Sequence, residues 1–203
     1  MNCRTCIVAP LALVGTLAAA SALGFGPVAD PQAAPAKPAA TAPAASGPVT
    51  CAVDEAHSLA LFRVHHLGAS QFWGRFNDVS GSFTFTPGSA EGMKFDISIK
   101  TESGDTGVDK LDQHLRSADF FSAKDFPAMT FVSTGATKTG DNTFDLKGDL
   151  TIRGVTKPIV AKLEYTGMAD FGMGRKAGFE AIFTIKRGEF GVIALEAQHG
   201  FDQ

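Results

Sequence analysis

The chain has 203 residues, 17 of them phenylalanine against one tyrosine and one tryptophan, and a formal net charge of −3. That length fits one domain, and the acidic balance excludes a nucleic-acid partner held by a broad basic field. Phenylalanine brings no polar handle, so the interior is expected to be apolar and dry.

The N-terminus reads as a leader. Arg4 supplies the positive charge, residues 7–24 are apolar and small, and Ala18-Ala19-Ala20 and Ala20-Ser21-Ala22 both fit a small-x-small cleavage site. Residues 1–22 are therefore assigned to a signal peptide, with an uncleaved N-terminal anchor as the alternative. Export to the periplasm or beyond follows, and after cleavage no transmembrane span is left. Cys3 and Cys6 come too early for a lipobox and Cys51 too late. Cleavage would leave Cys51 alone, so it is expected as a small buried hydrophobe without an internal disulfide. Residues 23–48 form a Pro/Ala-rich linker holding six of the ten prolines, with too little bulk for a core.

The folded domain is assigned to residues 49–203, where alternation of period two dominates. "SLALFRVHH" puts Ala60, Phe62, Val64 and His66 on one face. "SQFWGRF" reads as a turn, with Trp73 beside Phe72 and Phe76 packed at a barrel end or, as the alternative, part of a ligand entrance. "VSGSFTFTPG" aligns Val79, Gly81, Phe83 and Phe85 and stops at Pro87-Gly88. "MKFDISIKT" turns Met93, Phe95, Ile97 and Ile99 inward. A helix follows near residues 108–119, with Val108, Leu111, Leu115 and Ala118 in one stripe, and ends on Phe120 and Phe121. Strand patterns resume in "AMTFVSTG", "NTFDLKGDLTIRG", "KPIVAKLEYTG" and "AGFEAIFTIKR", the last aligning Phe179, Ala181, Phe183 and Ile185. Together with residues 49–54 this makes about eight strands on short links, hence antiparallel. One short helix cannot cover the apolar face of such a sheet, so the sheet should close on itself: an all-β, antiparallel barrel, bordered at one end by the helix.

Catalytic signatures are missing. His65 and His66 are adjacent on a strand and point to opposite faces, so they cannot share a metal ion. His57, His114 and His199 stand outside any metal-ligand spacing. Neither G-x-S-x-G nor H-E-x-x-H occurs, and "GMGRKAGF" precedes a strand instead of opening a helix. No catalytic residue, metal or cofactor is assigned.

Five segments, "VDEAHSLALFRVHHLG" (53–68), "GRFNDVSGSFTF" (74–85), "DQHLRSADFFSAKDFPAMTF" (112–131), "GDLTIRGVTKP" (148–158) and "GFEAIFTIKRGEFGV" (178–192), resemble the YceI-like family in order and spacing. The resemblance implies a lipocalin-like barrel and a periplasmic or secreted protein that holds a polyisoprenoid, such as a quinone-type amphiphile, inside it. It carries over no catalytic set. After "FGV" the chain reads "IALEAQHGFDQ", which departs from the family pattern, so the C-terminal closing strand is expected to be missing.

The expected function is thus non-enzymatic carriage or sequestration of a long isoprenoid-like lipid. Its expected lining is Phe62, Val64, Phe83, Phe85, Phe95, Ile97, Ile99, Phe131, Leu163 and Phe183. His66, His114, Arg116, Phe120 and Phe121 are the candidates for the mouth or a polar headgroup, although a salt bridge to a nearby acid competes for Arg116. Two alternatives stay open. An enzyme acting on a hydrophobic substrate would need His66, His114 or Arg116 to converge. An envelope stress or interaction protein, or a homo-oligomer, would use an exposed sheet edge.

Overall fold

The structure, a computed structural model, describes residues 4–7 as backbone and residues 47–66, 69–170, 172 and 174–192 in full. Most of the leader and linker assignments, and the C-terminal stretch 193–203 with its missing strand, lie outside the described residues.

Eight strands form a barrel in the order β1-β11-β10-β9-β8-β6-β5-β2. They are β1 (Arg4–Ile7), β2 (Val49–Ser58), β5 (Val79–Thr86), β6 (Ser89–Lys100), β8 (Ala128–Lys138), β9 (Thr143–Ile152), β10 (Val155–Asp170) and β11 (Arg175–Ile182). A second sheet has the order β3-β4-β7, from β3 (Ala60–His66), β4 (Ser70–Phe76) and β7 (Gly104–Asp105). The one α-helix among the described residues is α1 (Asp109–Arg116), and none is long and apolar enough to cross a membrane. The antiparallel barrel with one helix agrees with the reading of the sequence.

The alternation sets the register. In β9, Phe144, Leu146, Gly148, Leu150 and Ile152 are all buried, and the residues between them are not. The β9–β10 hairpin turns on Arg153 and Gly154, at φ 49° and 74°. Two consecutive left-handed residues make the type I′ pair whose twist matches the flanking strands.

From β2 to β11 the barrel strands are seven, each antiparallel to its neighbour. Six antiparallel steps, an even number, leave β2 and β11 pointing the same way. They are not paired with each other. The four-residue β1 lies between them, parallel to both, with Arg4 opposite Ala52 on one side and Lys176 on the other. An all-antiparallel closure would need an eighth strand of opposite direction, so this is a seam bridged by a short strand.

Two expectations need correction. The run 58–66 is not a barrel strand. The extended chain passes from β2 to β3 with only Leu59 between, and β3 leaves the barrel to pair with β4 from Ala60↔Phe76 to His66↔Ser70. Trp73 lies within β4, not in a turn, and is 51% exposed instead of packed.

Candidate functional site

At one end the barrel interior is filled by rings. Phe179 of β11 is central: its ring centroid lies 4.9 Å from Phe85 and 5.3 Å from each of Phe83, Phe95 and Tyr165. Phe83 stacks on Phe95 at 5.3 Å and meets Phe85 at 5.7 Å. These are the offset and edge-on arrangements that ring quadrupoles favour. Cys51, Met93, Phe144, Leu146, Leu163 and Ala177 complete this cluster.

A second cluster closes the other end. Leu115 of α1, Phe120, Phe76 of β4 and the late residues Phe190 and Val192 are buried against Met129, Leu150 and Ile152. The loop after α1 is fixed from outside the helix. Arg153, at the β9–β10 turn, donates to the carbonyls of Ala118 and Phe120. This turns Phe120 inward and brings Phe121 edge-on to Phe76 at 5.4 Å. The two phenylalanines at the helix end thus border the barrel, as their position in the sequence suggested.

Three apolar residues that touch the clusters are only partly buried. Ile97, Ile99 and Phe131 sit in register at the β6–β8 pairing, with Ile97 opposite Phe131. They pack against one cluster or the other, Phe131 against both. In the ring of strands, β8 stands opposite β1 and therefore faces the seam.

The remaining expected residues divide. Phe83, Phe85, Phe95 and Leu163 are buried in the ring-filled end. Phe62 belongs to the side sheet, with its ring 5.6 Å from Phe76, and Val64 lies farther along β3. Phe183 is a correction: it follows the last residue of β11 and is 42% exposed, so it does not line the barrel. The residue that holds the corresponding inward place is Phe179, whose phase in the alternation is the same.

The mouth candidates do not converge. His66 is exposed on β3, with its ring 6.3 Å from Phe72. His114 Nε2 lies 3.1 Å from Asp119 Oδ2, and its ring meets Phe120 edge-on. Arg116 donates from Nη2 to the carbonyl of Gly104 at 3.1 Å, with Glu102 3.9 Å away. Each has its own partner, so the acid–base constellation needed by an enzyme is not formed by these three side chains.

A polar group at the seam went unforeseen. Asp54 of β2, 5% exposed, accepts a hydrogen bond on Oδ2 from the Lys176 ammonium of β11, and His57 Nδ1 lies 3.1 Å from the same oxygen. The ion pair ties together the two strands that the seam separates. The Lys176 ammonium holds the Asp54 carboxyl below its ordinary value, against the opposing effect of burial, and His57 assists. A carboxyl with a lowered folded pKa stabilises the fold above its unfolded pKa of about 3.9, and that contribution fades as pH falls through the folded value. Lys176→Met removes the main cause of the lowering and leaves burial to raise the pKa. The variant should therefore be less stable than the parent at pH 7, and the deficit should shrink as pH falls through the folded value of Asp54. Urea unfolding between pH 7 and pH 2 measures it, and superimposable profiles would refute the assignment.

Cys51 is 1% exposed, as expected, and in the uncleaved chain it is disulfide-bonded. The only other cysteines of the chain are Cys3 and Cys6. The expectation of a lone thiol applies to the chain that has lost both with the leader.

The comparisons with known proteins agree with this geometry. Residues 52–201 match the family described as YceI-like domain. The "UPF0312 protein" of Azotobacter vinelandii is 40% identical over 137 residues, covering 67% of this chain and 71% of that protein. "Protein YceI" of Escherichia coli is 42% identical over the same length and shares. The crystal structure of the Campylobacter jejuni YCEI protein is 39% identical, with a TM-score of 0.57, over 64% of this chain and 77% of the other. Burkholderia cenocepacia BcnA is 26% identical, with the same TM-score, over 66% and 81%. On the match of more than two thirds of its length to the family and on these relatives, the chain belongs to the YceI-like domain family.

Proposed function

We propose that this protein is a non-enzymatic binder of a long isoprenoid-like lipid or quinone, which it carries or sequesters within the barrel after export. The observation that carries the reading is the partly exposed apolar surface of Ile97, Ile99 and Phe131 inside the barrel, between two packed clusters. An apolar chain laid there is stabilised by about 0.8 kcal/mol per buried CH₂, offset in part by the ordering of a flexible tail. No polar clamp is needed, which agrees with mouth candidates already engaged elsewhere. The leader-like N-terminus supports export.

The full chain purified from the periplasm should release an isoprenoid of fixed mass on organic extraction and show it by native mass spectrometry. Phe131→Glu should lower uptake of added isoprenoid at least about tenfold while circular dichroism confirms the fold. A folded protein that holds no lipid and takes none up would overturn the reading. Intact mass also reports the N-terminus: cleavage after Ala20 or Ala22 leaves Cys51 a free thiol, and retention keeps its disulfide.

A further inference from the structure

The β3–β4 hairpin has two unlike faces. Phe62 and Phe76 pack inward, and the ring of Phe62 lies over Gly74, where an added Cβ would come within 2.2 Å of it. The outward face carries Leu61, Arg63 and His65 opposite Arg75, Trp73 and Gln71, all exposed. β7 pairs with β4 only at Arg75 and Phe76, so the rest of the hairpin is a two-stranded ribbon standing away from the sheet. Trp73 is 51% and Leu61 41% exposed, and the Arg63 guanidinium lies 5.6 Å over the Trp73 ring. From residue 56 to residue 77 there is no aspartate or glutamate, in a chain whose net charge is −3. At the base, Arg75 is engaged by Asp105 at 2.9–3.0 Å, which leaves Arg63 as the cation beside the aromatic surface.

We propose that this outward face is a docking surface for an anionic lipid bilayer, with Trp73 and Leu61 entering the interface and Arg63 meeting the headgroups. Tryptophan, with an apolar body and a polar N–H, partitions to the level of the headgroups, and a nearby arginine adds attraction to anionic lipid. A ribbon of positive sign on a negative chain presents this surface and keeps the rest of the molecule off the membrane. The inference deepens the lipid-binding reading, because a carrier of an apolar chain has to collect or deliver it at a bilayer.

Trp73 is the only tryptophan, so its fluorescence reports the contact directly. The full chain is mixed with vesicles of phosphatidylcholine alone and of equimolar phosphatidylcholine and phosphatidylglycerol. Co-sedimentation and a blue shift of Trp73 emission are expected with the anionic vesicles, weakened by salt. Arg63→Glu should lower vesicle affinity at least about tenfold without changing the lipid extracted from the interior. Absence of co-sedimentation would overturn the proposal. So would co-sedimentation with Trp73 emission unshifted and Arg63→Glu without effect, which would place the contact on another segment. The two readings fail separately. A lipid-loaded protein that ignores vesicles ends the docking proposal alone. An empty protein that docks through Trp73 supports docking and removes the carrier reading.

Discussion

Phe179→Ala is expected to destabilise the barrel by about 3–5 kcal/mol, the range for deletion of a fully buried ring. Phe179 is 1% exposed and touches four other aromatic rings. Its removal would open a cavity that Phe83, Phe85, Phe95 and Tyr165 cannot fill together, since each is held by its own strand. For a domain whose whole stability is about 5–15 kcal/mol, that loss is about a fifth or more. Phe183→Ala is the matched control. The residue type is the same and lies two alternation steps along the chain, but it is 42% exposed beyond β11. Its replacement should change stability by less than about 0.5 kcal/mol. Chemical denaturation of both variants checks the pair. Equal losses would mean that β11 continues past Ile182 and turns Phe183 inward.

The contrast between Phe179 and Phe183 shows how far the sequence is legible. Alternation fixes the phase of a strand, and by that rule the two are equivalent. It does not say where pairing stops, because "FTIK" goes on alternating after the last partner on β10. The same blindness put β3 in the barrel: alternation runs on from residue 58 to 66 while the chain changes sheets at Leu59. β9 was readable in full because it stays in one sheet with one face buried throughout, and β6 was readable from Met93 to Ile99, where the same alternation holds. The helix was readable from Leu111 and Leu115, but the expected stripe overran it: Val108 and Ala118 lie outside α1 and are exposed.

What the candidate site depends on was harder to read. Packing density is not a sequence property. Phe95 and Phe131 look alike in the alternation, yet Phe95 is stacked within the ring-filled end and Phe131 is only partly buried against both clusters. A charge at Phe95 would therefore break the core, and only a charge near Phe131 separates binding from folding. Asp54 gave no signal because its partner is 122 residues away, across a seam that exists only in the closed sheet. The partners of His114 and Arg116 were hard to read because Asp119 lies in the loop beyond the helix and the carbonyl of Gly104 is a partner that composition cannot reveal.

Gly81→Ala is expected to have the largest effect of any single-methyl addition here, a loss above about 3 kcal/mol. Two costs coincide at this position. Gly81 has φ +126°, a conformation closed to residues with a side chain, and strain of this kind alone costs on the order of 1–3 kcal/mol. An added Cβ would also fall 2.1 Å from the carbonyl oxygen of Asp96, which is backbone and cannot swing aside. Gly81 pairs with Ile97, so relief by a shift of β6 would displace Ile97 and its partner Phe131 along with it. Lipid uptake should therefore fall together with stability. Gly88→Ala separates the two costs: Gly88 has φ +78° but nothing within 4 Å of the new Cβ. It carries only the penalty of left-handed backbone, about 1–2 kcal/mol. Thermal melts give the ranking, with each kcal/mol worth about 2–4 °C for a domain of this size. Equal shifts for the two variants would show that the close approach to Asp96 is not part of the fold.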